Sequence, residues 1–170
     1  MHALKGTIKC IETISEWSGR IFCVTILLQL ILSCYEVFTR RVLHSPTIWT
    51  HEILSYVFCG SVLLLMGYTQ LHKAHANVDI LYERFSPRTK AMIDALTFIF
   101  FMGLFSLVFF TDAVRFAATS WAIHERTPTA FNPIVYPAKT LLPVGALLLF
   151  LQGMADFIKN VVFLVKGERL

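Results

Sequence analysis

The sequence predicts an all-α fold: an integral membrane protein with four transmembrane helices, both termini cytoplasmic, and an N-terminal amphipathic helix lying in the membrane interface. Three observations carry this reading. Of the 170 residues, 56% are hydrophobic and 15% charged, against about 25% charged in an ordinary soluble domain. Four apolar stretches, at about 17–38, 48–71, 91–110 and 138–164, each reach the roughly 20 residues that cross about 30 Å of hydrocarbon as a helix. The charged residues gather at the ends of these stretches. By length the chain, 1–170, reads as a single membrane domain, since the polar connections are too short to build a soluble core of their own.

The elements follow in order. Residues 1–16 place Leu4, Ile8, Ile11 and Ile14 at helical spacing, with Lys5, Lys9, Glu12 and Glu16 on the other side. Such a segment suits the interface plane, and a solvated start to the first span fits the same pattern. Lys5, Glu12, Glu16 and Arg20 interrupt any continuous apolar core of a cleaved signal, so the first apolar segment is expected to stay in the protein. That segment carries Thr25, Gln29 and Ser33 as its central polar groups. Gln29, near mid-membrane, is expected to hydrogen-bond a neighbouring helix. In the second segment, Trp49 and Tyr68 mark the two boundaries, where amphipathic rings prefer the headgroup level. Gly60 and Gly67 fall on nearly one face beside Ser61, and small residues let helix backbones approach closely in lipid.

Beyond it, Val78, Ile80, Leu81 and Phe85 suggest a short interfacial helix, and Ser86-Pro87 starts the next one, with Ser86 as N-cap and Pro87 at the first helical position. The third segment is rich in phenylalanine on several faces, which suits lipid contact better than a polar pathway. A third loop is expected to hold Asp112, Arg115, His124, Glu125 and Arg126, with Pro128, Pro133 and Pro137 forbidding a continuous helix. The fourth segment is expected to kink at Pro143 and to pack through Gly145 and Gly153.

Orientation follows from the basic residues. The terminal side collects Lys5, Lys9, Arg20, Lys73, Arg84, Arg88, Lys90, Lys159, Lys166 and Arg169, while the other side has Arg40, Arg41, Arg115, Arg126 and Lys139. The excess of positive charge on inner loops puts both termini in the cytoplasm. The same bias accounts for the net charge of +4. The basic residues form no stripe interleaved with aromatics, so no nucleic-acid partner is expected.

The chemistry that is missing narrows the function. Cys10, Cys23, Cys34 and Cys59 form no CxxC pair, and three lie in apolar segments, so neither a disulfide framework nor a metal site is expected. His44, His51, His72, His75 and His124 are all peripheral to the spans, where haem ligation needs them deep between helices. No P-loop, HExxH or GxSxG occurs. No ionisable group stands at mid-membrane, where a pump or transporter would place one. No enzyme and no cofactor are expected; a membrane subunit that packs against a larger partner fits better.

The charged turn between the first two segments supports that view. Glu36 and Arg40 have ion-pair spacing on a helix. Glu52, three residues after Trp49, is expected to take Arg40 or Arg41 across the hairpin, as a clamp or as a contact with a partner. These charges marking the interface and nothing more is the plain alternative.

The run RRVLHSPTIWTHE (Arg40, Arg41, Trp49, Glu52), followed by GYTQLHKAHANVD (Gly67, Tyr68, His75, Val78, Asp79) and later by PVGALLLFLQ (Pro143, Gly145, Leu151, Gln152), resembles the small membrane (DctQ-type) subunit of tripartite ATP-independent periplasmic (TRAP) transporters. His75 and Asp79 belong to the loop that is similar to that family's. The chain departs from the family where Asn132-Pro133 replaces the usual apolar-Pro before the fourth segment. The resemblance implies a bacterial inner-membrane secondary transporter, in which a periplasmic binding protein delivers an organic acid and a large membrane subunit moves it with a sodium gradient. The small subunit is then an auxiliary scaffold in membrane lipid that stabilises the large subunit and helps dock the binding protein transiently. Arg115 and Arg126, with Arg40 and Arg41, would attract acidic patches on that protein.

Two other classes compete. A self-sufficient four-helix homodimeric exporter would need an essential membrane carboxylate, and Glu36, Asp94 and Asp112 all stand near segment ends. A membrane anchor of a redox complex would need deep histidines.

Overall fold

The computed structural model describes residues 2–72 and 85–167, with the side chains of 2–4 excepted. Among the described residues, four helical spans are long and apolar enough to cross a membrane. Helix α1 runs His2–Arg41 and α2 Thr50–Leu71. The third span is built from α3 (Pro87–Thr97), a π-helical turn (Phe98–Met102) and α4 (Gly103–Ala122). The fourth joins the single turn α5 (Tyr136–Lys139) to α6 (Leu141–Lys166). The expected loop helix over 78–85 falls, but for the exposed Phe85, within 73–84 and, with His75 and Asp79, lies outside the described residues.

The spans form an open row. α1 packs on α2 and, through its first half, on α6; α2 packs on α6, and α6 on both α3 and α4. Helix α6 is the hub, and its buried face is built of Gly145, Ala146, Leu149, Gln152, Gly153 and Ala155. α4 answers it with Ser106, Ala113, Ala117 and Ser120, small residues three, four and seven apart. In lipid, apolar burial gives helices little reason to associate, so close approach of small side chains holds them. α1 forms one edge of the row: none of residues 20–38 is buried.

Three boundaries differ from the sequence reading. The expected interfacial helix over 1–16 is not set apart, because α1 is one unbroken helix of 40 residues, about 60 Å long at 1.5 Å per residue. No proline interrupts it. Its supposed water-facing acids turn to neighbouring helices: Glu12 pairs with Lys159 and Glu16 with His72, at 2.9 Å. The third span runs on to Ala122, so Asp112 and Arg115 stand on α4 and not in a loop. They interrupt the apolar window, yet 111–122 contains no proline or glycine to stop a helix. The fourth span is interrupted at Thr140, and α6 runs unbroken through Pro143. Pro143 sits in the first turn, where its missing N–H is one of those no helix pairs. As expected, Ser86 caps α3, accepting from the Thr89 N–H at 3.3 Å with Pro87 next to it.

Candidate functional site

The turn between α1 and α2 is closed by Glu36. Its Oε1 accepts from Arg40 Nη2 at 2.7 Å, as the four-residue spacing predicts. Its Oε2 accepts from the Thr47 hydroxyl, which also meets the hydroxyl of the fully buried Thr50. Tyr35 and Trp49 face each other across the turn with ring centroids 6.1 Å apart. His44 takes a left-handed backbone, φ +50°, and the Ser45 N–H returns to the Thr39 carbonyl at 3.1 Å.

The expected pairing of Glu52 with Arg40 or Arg41 does not form. Arg40 is taken by the nearer Glu36, Arg41 is exposed, and among the described residues the buried Oε2 of Glu52 has no hydrogen-bond partner. Thr47 and Thr50, which the sequence reading missed, complete the clamp; their only signal was a hydroxyl pair flanking Trp49. Substituting Glu36 by alanine is therefore expected to lower the melting temperature and loosen the turn. Glu52→Gln is expected to leave both unchanged. Thermal unfolding and labelling of a cysteine placed at His44 would check the contrast. Equal effects at the two sites would defeat the assignment.

The four glycines are packing residues within the chain. A Cβ on Gly60 would stand 2.9 Å from Leu141 Cδ1, and one on Gly67 3.2 Å from Leu148 Cβ. On Gly145 it would stand 2.6 Å from the Leu63 carbonyl oxygen, and on Gly153 2.7 Å from Phe98 Cε2. The first three make the α2–α6 seam and the fourth seats α6 on the π-turn, so none remains on a face open to a partner. Gly19, not singled out from sequence, sits under the Tyr68 ring. Polar pairs reinforce the seams. Gln29 Nε2 donates to Ser61 Oγ at 3.0 Å, as expected, with Thr25 Oγ1 2.7 Å from the same hydroxyl. Ser15 Oγ donates to Gln152 Oε1 at 3.0 Å where α1, α2 and α6 meet.

At the same end as the clamp, the third loop is an ordered hairpin. Arg126 and Ile134 form an antiparallel bridge, flanked by Thr127 N–H to the Pro133 carbonyl and Val135 N–H to the Glu125 carbonyl, both 3.1 Å. Tyr56 and Thr127 join it to α2 at 3.0 Å, and Trp121 Nε1 donates to Thr140 Oγ1 at 2.9 Å. Glu125 pairs with Lys139, whose hydrogen bond holds the Glu125 carboxyl below its usual range. A carboxylate with a depressed pKa stabilises the fold above its unfolded value, and the contribution is lost as pH falls through the folded one. Melting is thus expected to fall on acidification below about pH 4.5, and less steeply in Glu125→Gln. Identical pH profiles for the two proteins would refute this.

The candidate docking arginines do not converge. Arg126 Nη1 donates to the Asn132 carbonyl at 3.5 Å on the hairpin, and Arg115 is exposed on α4. Arg40 and Arg41 stand on α1, at the other edge of the row.

Comparison with known proteins adds one match. The family model described as "Tripartite ATP-independent periplasmic transporters, DctQ component" matches residues 29–162. No curated protein and no solved structure matches the chain.

Proposed function

Because the chain belongs to the DctQ component family of tripartite ATP-independent periplasmic transporters, we propose that it scaffolds the large transport subunit along the unburied flank of α1. The membership makes it a non-enzymatic small membrane subunit of a TRAP transporter, multi-pass in the inner membrane, whose system includes a large membrane subunit and a periplasmic binding protein. The observation that carries the scaffold reading is the open row. Residues 20–38 of α1 include Ile21, Val24, Leu27, Leu28 and Ile31, all exposed, while the chain's own packing is completed through α2 and α6.

In this reading the whole chain acts as one membrane unit with both termini cytoplasmic, which the distribution of basic residues supports. The Glu36 clamp and the hairpin then face the periplasm, and Arg115 and Arg126 attract acidic patches of the binding protein. Exposed charges are individually weak, so they act on encounter more than on affinity. The transport served is sodium-driven uptake of an organic acid.

Co-purification tests the central claim. The tagged chain, expressed with its candidate large partner and extracted in mild detergent, is expected to bring that partner down in stoichiometric amount. Leu27→Trp together with Ile31→Trp is expected to reduce recovery at least tenfold without changing the melting of the chain alone. Full recovery with the double variant would move the interface off α1. Reconstituted complex should accumulate an organic acid only with an inward sodium gradient. Binding protein should associate more weakly with Arg115→Glu/Arg126→Glu than with the parent, and equal association would remove the docking role.

A further inference from the structure

A half-open cleft of about 560 Å³ lies between the end of α2, the start of the third span, and α6. It is graded. Toward the helix ends it is lined by Gln70, Asp94, Asp156, Phe157, Lys159 and Asn160; deeper in it is lined by Phe98, Met102 and Leu149. Asp94 is seven residues past Pro87 and Asp156 ten residues before Lys166, which puts their carboxyls about 10–15 Å inside the helix ends. Polar groups at that depth followed by an apolar wall match the profile of an amphiphile entering from the membrane boundary.

The floor is shaped by an uncommon element. The Gly103 N–H reaches back five residues to the Phe98 carbonyl, closing a π-helical turn whose first and last residues both line the cleft. Such turns occur mostly singly within α-helices and frequently at functional sites. Here the turn aims the Phe98 ring onto Gly153 and stacks it on Phe157, with centroids 5.2 Å apart.

Charge selects among amphiphiles. Lys159, the cation among the lining residues, is already engaged by Glu12 and by Asp156 at 3.7 Å. Glu12 and Asp156 flank that one ammonium, and the Asp94 carboxylate lines the same cleft. Each carboxylate offers about four acceptor positions, so an internal partner does not exhaust it. Gln70 Nε2 donates to Asp156 Oδ2 at 3.4 Å, and its second N–H, with the Asn160 amide, supplies donors nearby. A headgroup suited to this lining carries an ammonium with its three donors beside a phosphate.

We propose that this cleft is a binding site for an amine-bearing phospholipid, phosphatidylethanolamine being the simplest. Its ammonium lies between Asp94 and Asp156, its phosphate toward the Gln70 and Asn160 amides, and one acyl chain along Phe98, Met102 and Leu149. The site does not depend on assembly with the large subunit.

The test uses the full chain, stripped of lipid in detergent and offered equal amounts of phosphatidylethanolamine and phosphatidylglycerol, with bound lipid read by native mass spectrometry. Retention of phosphatidylethanolamine at least fivefold above phosphatidylglycerol is expected, with the preference lost in Asp94→Asn/Asp156→Asn. Thr97→Trp, which fills the cleft without touching a charge, is expected to abolish retention of either lipid there and keeps the test valid where the double variant does not fold. Equal retention of the two lipids, or a preference that survives both variants, would overturn the proposal. So would a Thr97→Cys thiol that is shielded from maleimide by the large subunit equally well in stripped and lipid-loaded complex, since the occupant would then be protein.

Discussion

Adding one methyl group at Gly145 is expected to lower the melting temperature of the purified chain by roughly 4–8 °C. Its Cβ would lie 2.6 Å from the Leu63 carbonyl oxygen and 3.0 Å from the carbonyl carbon. These are backbone atoms in the middle of α2, so no rotamer change relieves the overlap, and the two helices must separate. Overpacking of this kind costs about 1–3 kcal/mol, and a loss near 2 kcal/mol corresponds to the stated shift for a chain of this size. Separation also spoils the neighbouring contacts of Gly60 with Leu141 and Gly67 with Leu148. Gly6→Ala is the matched control. Nothing lies within 4 Å of its Cβ position, and relief of glycine's helix penalty of about 1 kcal/mol favours it. Thermal unfolding of the two variants in one detergent gives the answer; similar melting for both would mean that the α2–α6 seam does not hold the row.

The second large effect is expected at Gln152, which is completely buried beside the nearly buried Ser15. Gln152→Ala removes an acceptor from the Ser15 hydroxyl and leaves a hole at the junction of three helices, for a loss of about 2 kcal/mol. Gln152→Leu keeps the volume and removes an amide whose Nε2 has no hydrogen-bond partner among the described residues. Ser15 then turns to a carbonyl of its own helix, so a change under about 1 kcal/mol is expected. Unfolding of the two variants side by side separates packing from hydrogen bonding. A leucine as damaging as the alanine would show that the amide itself is indispensable.

Much of this architecture is legible in the sequence because membrane spans depend on length and composition, which a linear reading sees. Gly60, Gly67, Gly145 and Gly153 are identifiable as packing residues, since a glycine in an apolar helix has few other uses, but which helix each one meets is not. The stop of the third span is misread because Asp112 and Arg115 end the apolar window while the helix continues on backbone hydrogen bonds that charge does not interrupt. The choice between Glu36 and Glu52 is likewise invisible in one dimension. Both have arginines within reach by sequence distance, and the decision lies with Thr47, whose hydroxyl is brought to Glu36 by the fold of the turn. Gln152 stands in a quoted family motif without its role being apparent, because its partner Ser15 is 137 residues away.

The edge position of α1 has a thermodynamic consequence. A helix that leaves one flank uncovered draws stabilisation from its own chain on the other flank alone, and whatever covers the open flank binds only the folded form. By mass action, a ligand of any kind present at 100 times its dissociation constant then adds about 2.7 kcal/mol to the free energy of unfolding. The melting temperature of this protein is therefore a titration curve in disguise: it reports the concentration and grip of its neighbours as much as the contacts within the chain.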